Sequence, residues 1–206
     1  MALSTLKGVN AVAFARKLSN ASTKEAELIP WQTSLSFDPS RDSDSTVTKD
    51  GNVNTQSSVS TDLEIEFINN TSAIADAFYD SLLDGDKMEF WIVHKDRKNT
   101  DGKYFSWYVQ TSVSEDSNDN DADDNSTRDV TFSVDGTPKR GWTALSAQQS
   151  SDVDYVFRGL DKVTGTGSTE TNGGTAWNKA ADGGVNAVAA PSGTATSGSV
   201  TGTSGQ

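Results

Sequence analysis

The stretch TDLEIEF at residues 61–67 alternates carboxylates with large apolar side chains. Successive side chains of a β-strand point to opposite faces of the sheet, so this spacing makes one apolar face and one anionic face. The anionic positions are Asp62, Glu64 and Glu66, and the apolar positions are Leu63, Ile65 and Phe67. The stretch therefore predicts a half-buried strand whose other side carries a row of negative charges.

A second stretch, TRDVTFSVDG at residues 127–136, repeats the pattern. Its polar positions are Asp129, Thr131, Ser133 and Asp135, and its apolar positions are Val130, Phe132 and Val134. Two strands then share an acidic side opposite an apolar side. A solvated sheet face is the simplest interpretation. A regular row also differs from two carboxyl groups that face each other across a catalytic cleft.

One helix is predicted between these strands, over NNTSAIADAFYDSLLDGD at residues 69–86. Asn70, Thr71 or Ser72 can cap its N-terminus, and Gly85 is placed to end it. The predicted buried stripe is Ile74, Ala77, Phe78 and Leu82. Its length is about three turns.

The other predicted strands complete a mainly β protein. Residues 9–18 and 29–37 are moderately apolar, and the second of these predicts an inward face of Trp31, Thr33, Leu35 and Phe37. Residues 87–95 and 103–114 carry large residues on both faces, which indicates coverage by another element or another subunit. The resulting fold class is mainly β (α+β), a β-sandwich or partial barrel with one flanking helix.

The composition divides the chain of 206 residues into two parts. Residues 1–150 hold most of the aromatic and aliphatic residues and predict one domain of ordinary size. Residues 151–206 are rich in Gly, Ser and Thr, and no Leu, Ile or Phe occurs after residue 162. Such a segment buries too little apolar surface to order itself, so we expect a flexible or partner-dependent extension.

Charge and residue usage exclude several classes of function. The net charge of −12 argues against binding to nucleic acid, which depends on Lys and Arg. The absence of cysteine excludes disulfides, thiolate catalysis and thiolate metal sites. Neither a signal peptide nor a membrane-spanning stretch is predicted, so we expect a cytosolic product.

The sequence predicts no catalytic residue, cofactor or metal site. Asp119, Asp121 and Asp123 have the spacing of a calcium loop, but Asp124 and Val130 stand where an EF-hand needs Gly and Glu. A solvated acidic loop is therefore favoured. His94 is the single histidine, and no nucleophile or orienting group is identified beside it, so a structural or solvent-facing role is favoured.

Five stretches occur in a fixed order within residues 1–148. They are LSTLKGVNAVAFAR at 3–16, TVTKDG at 46–51, LLDGDKMEFWIV at 82–93, GKYFSWYVQ at 102–110 and VTFSVDGTPKRGWTAL at 130–145. Their order and spacing resemble the major tail proteins of long, non-contractile-tailed phages, the siphophages of lactic acid bacteria and their relatives.

The resemblance implies a structural virion protein that assembles as hexameric rings stacked into a hollow tail tube. The lumen of such tubes is generally acidic, so that DNA is delivered through them without sticking. The channel-lining residues are then expected to be Asp62, Glu64 and Glu66, with Asp129 and Asp135 as further members. The implied partners are further copies of the chain and the tail tip, tape measure and head-proximal tail proteins. Assembly is expected in the host cytoplasm.

The same picture suggests contacts between subunits. The polar segment 39–56 and the basic loop 95–103 are candidate arms, and the acidic loop 115–124 is an electrostatic complement to the basic loop. The candidate inter-subunit residues are Lys49, Asp50, Arg97, Lys98, Trp107, Asp119 and Asp121.

Two functions from other classes remain open at this stage. In the first, Trp91, Trp107 and Tyr108 form an aromatic platform for sugar rings, as in a carbohydrate- or cell-wall-binding module. The second is a hydrolase that uses pairs of Asp and Glu residues, and it is the weakest of the three hypotheses.

Overall fold

The computed structural model of the chain describes residues 5–153, 157–162 and 173–181. The described residues divide into two compact units, residues 5–153 in the first and residues 157–162 and 173–181 in the second. The described part of the second unit contains one short 3-10 helix, Lys179–Ala181. Most of the extension predicted for residues 151–206 lies outside the described residues, so its flexibility stays a prediction.

The first unit is built mainly of antiparallel β-strands, with two α-helices. The strands are β1 Ala11–Lys17, β2 Glu27–Leu28, β3 Gln32–Ser40, β4 Ser43–Thr48, β5 Gly51–Gln56, β6 Ser60–Ile68, β7 Met88–Lys98, β8 Tyr104–Asp119 and β9 Thr127–Thr143. The helices are α1 Ala73–Asp84 and α2 Ala147–Val153, with 3-10 turns at Gly8–Asn10 and Leu18–Asn20.

Seven of the strands form one sheet in the order β2-β1-β7-β8-β9-β6-β3. The sheet curls until its two ends approach each other, at the amide of Gln32. That amide accepts a hydrogen bond from Ala13 N at 2.9 Å and donates to Ala13 O at 2.9 Å. The amide therefore bridges β3 and β1 much as a neighbouring strand would. The mainly β fold with a partial barrel, predicted from the sequence, is confirmed.

The core lies inside this curl, under helix α1. Leu63, Ile65 and Phe67 of β6 are all 0% exposed. The ring of Phe78 in α1 contacts Phe132 at 5.4 Å in an edge-to-face arrangement, a geometry that aromatic pairs favour. The predicted helix and its buried stripe are confirmed, except that Leu82 is only partly buried.

Both ends of α1 have the predicted caps. The Ser72 hydroxyl accepts a hydrogen bond from Ala75 N at 3.3 Å, which satisfies one of the open N–H groups of the first turn. Gly85 has a φ of 76°, the left-handed conformation that ends many helices and that glycine adopts without strain.

Several predicted loops are regular strands in the structure. The segment 39–56, expected to be turn-rich, contains β4 and β5, which pair only with each other. Strand β7 runs to Lys98, so the basic loop shortens to 99–103, and β8 runs to Asp119, so the acidic turn begins at residue 120. Polar strands give no apolar alternation, and a periodicity argument therefore misses them.

Trp31 and Thr33 also depart from the prediction, since both are exposed rather than inward. Strand β3 begins only at Gln32, and its register with β6 shifts between Gln32 and Ser34. A shift of one residue turns the following side chains to the other face. Only Leu35 and Phe37 of the predicted inward set are partly buried.

Candidate functional site

The register of three adjacent strands gathers the predicted acidic residues on one face of the sheet. Strand β6 lies between β3 and β9, and Glu66 stands opposite Asp129 while Glu64 stands opposite Thr131. On the other side of β6, Asp38 stands opposite Asp62. Asp62, Glu64, Glu66 and Asp129 therefore share a face, as the alternation predicts.

Two further carboxylates join this face that the sequence interpretation missed. Asp38 lies on β3 beside Asp62, and Glu115 of β8 stands opposite Thr131. Asp38 follows the inward Phe37, so alternation alone could have placed it outward. Glu115 could not be placed, because the stretch that contains it resembles a loop. The acidic face is defined here as Asp38, Asp62, Glu64, Glu66, Glu115 and Asp129.

The carboxylates of the acidic face repel one another. The negative charge of Asp129 raises the pKa of Glu64 above its ordinary value, and hydrogen bonding between the two carboxyl groups, slight burial and the charges of Glu66 and Glu115 raise it further. The Oδ1 atom of Asp129 is buried without a hydrogen-bond partner in the described chain. Protonation of Glu64 would relieve the repulsion that this carboxylate feels.

Asp135 lies apart from the other predicted channel residues. It alternates in phase with Asp129 but stands opposite Gln110, farther along β9. Its Oδ2 atom accepts from Lys87 Nζ at 2.6 Å. This ion pair offsets the negative charge of Asp135, so Asp135 adds little to the field of the acidic face.

The strands β7, β8 and β9 carry opposite charges at their two ends. One end, called the basic end, carries Lys95, Arg97, Lys98, Lys103, Lys139 and Arg140, which outnumber the two carboxylates there, Asp96 and Asp101. The other, called the acidic end, consists of Asp119 and the turn residues Asp121, Asp123 and Asp124. Strand β8 connects the two ends, and its length along the backbone is roughly 50 Å at the usual rise of a strand.

Two predicted interface cations already contact rings of their own subunit. The Arg97 guanidinium lies 3.8 Å from the centroid of Phe105, and Lys98 Nζ lies 4.5 Å from that of Tyr104. Such contacts hold the charged groups in place at the basic end while leaving both residues exposed.

The remaining interface candidates occupy three different settings. Lys49 and Asp50 form the exposed tip of the β4–β5 hairpin. Asp119 is the last residue of β8, and Asp121 lies in the turn that follows. Trp107 is partly buried, and its ring lies 5.1 Å from that of Phe37, so it packs inside its own subunit.

A buried ion pair was missed by the sequence interpretation. Arg128 Nε donates to Asp116 Oδ1 at 2.7 Å, a second bond joins Arg128 Nη2 to Asp116 Oδ2, and the two side chains are 1% and 0% exposed. Arg128 Nη1 also donates to Ala75 O at 2.9 Å, which ties β9 to helix α1. The sequence could have indicated the burial of Arg128, because Arg128 lies two residues before the inward-facing Val130 and therefore points to the same face of the strand.

The proposed sugar platform is not formed. Trp91 and Tyr108 stand opposite each other on β7 and β8, with ring centroids 5.2 Å apart. Trp107 directly precedes Tyr108 in the strand and points to the other face, where it meets Phe37. The three rings therefore cannot form one surface, and this hypothesis was wrong in its geometry.

Trp91 instead lines a small cavity of about 300 Å³ under the segment 143–149. Gln149 Nε2 holds that segment by donating to Ala26 O at 2.7 Å. A segment of the chain itself therefore covers part of the aromatic face. The sequence predicted coverage by another element of the chain or by another subunit, and the first of these is observed here.

His94 lies among aromatic residues, 5.6 Å from the ring of Phe105. Burial lowers its pKa below the ordinary value, and the charge of Arg97 lowers it further. In residues 5–153, 157–162 and 173–181, no group of His, Asp or Glu has the arrangement of a metal site. Across the same described ranges, none of the helices has the length and apolar character needed to cross a membrane.

The fold is similar to that of a solved tail tube and of chains from gene transfer agent particles. The SPP1 tail tube, determined by solid-state NMR and cryo-electron microscopy, aligns with a TM-score of 0.61 at 14% identity, over 79% of this chain and 96% of that one. A chain from the virion of a native gene transfer agent particle aligns with a TM-score of 0.50 at 11% identity, over 68% and 100%.

A chain from the tail of an empty gene transfer agent particle, refined with helical and C6 symmetry, gives a TM-score of 0.50 at 12% identity, over 68% and 100%. No curated protein is detectably similar to the sequence. Residues 10–140 match the family described as phage tail tube protein. Since this match covers more than half of the 206 residues, the chain belongs to the phage tail tube protein family and is a structural subunit of a phage tail.

Proposed function

We propose that copies of this chain form six-fold rings that stack into a hollow tube, with the acidic face as part of its inner wall. The acidic face is the observation that carries this proposal. It combines six carboxylates on four adjacent strands, opposite the apolar side of the sheet that forms the core. The six-fold symmetry is taken from the C6 tail of the gene transfer agent particle.

An acidic wall suits the passage of DNA because it offers no cation to a phosphate. Protein–DNA affinity depends on Lys and Arg that displace condensed counterions. Carboxylates repel phosphates over about one Debye length, roughly 8 Å at physiological salt. DNA would therefore be delivered to the host through the tube without specific binding.

Neighbours within a ring would meet at the open edges of the sheet. Strands β2 and β3 are its two edge strands. An edge strand presents unpaired N–H and C=O groups that can pair with another chain. In a ring, each subunit uses two different surfaces, one toward each neighbour, so one edge region would face the other.

Successive rings would meet through the charged strand ends and the β4–β5 hairpin. The basic end of one copy complements the acidic end of the next, which favours a single direction of stacking. Arg97 and Lys98 present their charges there from fixed positions on their own rings, beside Lys103, Lys139 and Arg140. The tail tip, tape measure and head-proximal proteins would bind the ends of the finished tube. The role is structural, with no chemistry of its own, and assembly would take place in the host cytoplasm.

The test is electron microscopy of the purified, concentrated protein, followed by helical reconstruction. Hollow tubes with Glu64 facing the bore are expected. A monomer that stays dispersed, or tubes with Glu64 on their outer surface, would contradict the proposal.

A charge reversal distinguishes an inner from an outer acidic face. Glu64→Lys tubes are expected to retain double-stranded DNA inside the bore at low salt and to release it as salt rises, because each subunit adds one cation to the wall. The matched control is Asp84→Lys on α1, whose side chain is exposed on the opposite side of the sheet. The measurement is the DNA density in the bore by cryo-electron microscopy. Retention by the control alone would refute an inner acidic face.

A further inference from the structure

Trp31 is an exposed aromatic residue in an unfavourable backbone conformation. Its φ is 54°, and no other non-glycine residue in the described ranges has a positive φ. Its side chain is 64% exposed. A bulky residue in the left-handed region is strained, and such strain persists only where the surrounding structure imposes it.

The flanking residues impose this conformation. Trp31 O accepts a hydrogen bond from Ile68 N at 3.1 Å. The next residue, Gln32, is fixed by its two bonds to Ala13 and by a third, from its Nε2 to Ile29 O at 2.8 Å. The backbone on both sides is therefore held, while the indole points to solvent.

The indole has no role within the subunit that explains the strain. Across residues 5–153, 157–162 and 173–181 it makes no aromatic or cation–π contact, although many other rings of the chain do. Trp is among the residues that contribute most at protein–protein interfaces when they become buried there.

The position of Trp31 indicates which surface it meets. It lies level with Ile68, which stands opposite Thr127, and Thr127 stands opposite Asp119. Trp31 is therefore at the acidic end of the sheet. In the proposed stacking this end faces the basic end of the next copy, where Lys103 and Lys139 are exposed. The face of an indole ring is the most favourable aromatic surface for an ammonium or guanidinium group.

We propose that Trp31 is an anchor between stacked subunits, with its indole bound by Lys or Arg side chains at the basic end of a second copy. The inference rests on the proposed assembly and adds a contact that the charges alone do not predict. The backbone strain is the local cost of holding the ring outward.

The first test replaces Trp31 by Asn, which tolerates a positive φ and has no ring. The melting temperature of the unassembled subunit is expected to stay the same or to rise, because the strain is relieved. The critical concentration for tube formation, measured by sedimentation, is expected to rise about ten-fold or more. Leu83→Gln is the matched control, since Leu83 is 78% exposed on α1. It should leave that concentration unchanged.

The second test identifies the partner surface. Lys103→Gln combined with Lys139→Gln should weaken assembly, and adding Trp31→Asn to this pair should weaken it by less than the sum of the separate effects. Strict additivity would overturn the assignment to the basic end.

A third measurement does not depend on a ring-free variant. The difference in fluorescence between the wild type and Trp31→Phe isolates the emission of Trp31. Quenching of this emission by acrylamide should decrease when tubes form. An indole that stays accessible in tubes, or Trp31→Asn tubes that form at the wild-type concentration, overturns the inference and leaves the proposed function standing. Failure of the wild type to form tubes overturns both.

Discussion

At the residue scale, charged side chains occur in two contrasting arrangements, the buried Arg128–Asp116 ion pair and the like charges of the acidic face. The buried pair neutralises itself and also satisfies the carbonyl of Ala75. The acidic face leaves like charges next to one another on an exposed surface, where Glu64 is repelled by Asp129. The first arrangement serves the fold, whereas the second carries a free-energy cost that the fold does not require.

Removing one partner of the buried pair should destabilise the subunit strongly. Asp116→Ala leaves Arg128 charged, buried and without its carboxylate, which costs about 3–5 kcal/mol of unfolding free energy. Urea unfolding of the unassembled subunit measures this loss.

The control for that prediction is Asp116→Leu combined with Arg128→Met, which removes both charges and keeps the volume. It should lose much less stability than Asp116→Ala alone. Equal losses would mean that packing over the Tyr79 ring, 3.6 Å from the Arg128 guanidinium, matters more than the charges.

Glu64→Gln should stabilise the folded subunit at neutral pH. The raised pKa of Glu64 means that the folded chain binds the proton more tightly than the unfolded chain. Its contribution to stability is therefore present at low pH and is lost as pH rises through the raised pKa. The gain from Glu64→Gln should be clear at pH 7 and should vanish below about pH 4, near the ordinary pKa of a glutamate.

Thermal unfolding at a series of pH values measures the gain from Glu64→Gln. Asp44→Asn, on the exposed hairpin strand β4, removes one negative charge elsewhere and serves as the control. A gain from Glu64→Gln that is independent of pH would contradict the repulsion.

At the element scale, β4 and β5 pair with no other strand in the part of the subunit that the structure describes. Every residue of both strands is exposed, and the hairpin forms a separate two-stranded sheet. Isolated hairpins are only marginally stable in water. We therefore expect the hairpin to act as an arm toward a neighbouring copy and not as part of the core.

Deleting the hairpin should therefore separate folding from assembly. Ser40 stands opposite Ser60 at the base, so residues 41–59 can be replaced by Asn-Gly, a two-residue turn that joins paired strands. We expect an unchanged free energy of unfolding for the subunit and the loss of tubes in electron micrographs. Tubes of normal length from the deletion variant would show that the hairpin is dispensable.

At the scale of the whole molecule, the charges have a direction. The long strands β8 and β9 place the basic end and the acidic end at opposite ends of one sheet. A subunit with this polarity is suited to stacking in one orientation, because like ends repel each other. The acidic face lies along the same strands and would continue from ring to ring. Net charge alone, at −12, shows none of this arrangement.

The local sequence determined much of the fold and four of the six residues of the acidic face. The alternation in β6 and the cap residues of α1 act over a few neighbouring positions, so strand, helix and the facing of Asp62, Glu64 and Glu66 could be predicted. The placement of Asp129 on the same face as Glu66 needed only that β6 and β9 pair.

Tertiary structure alone decided the rest, because it depends on residues far apart in the chain. The curl of the sheet, the ion pair of Asp116 with Arg128 and the strained exposure of Trp31 follow from strand register and from bonds such as that of Gln32 to Ala13. Polar strands carry no apolar period, so pairing with a neighbour, and not local preference, makes β4, β5 and the end of β8 regular.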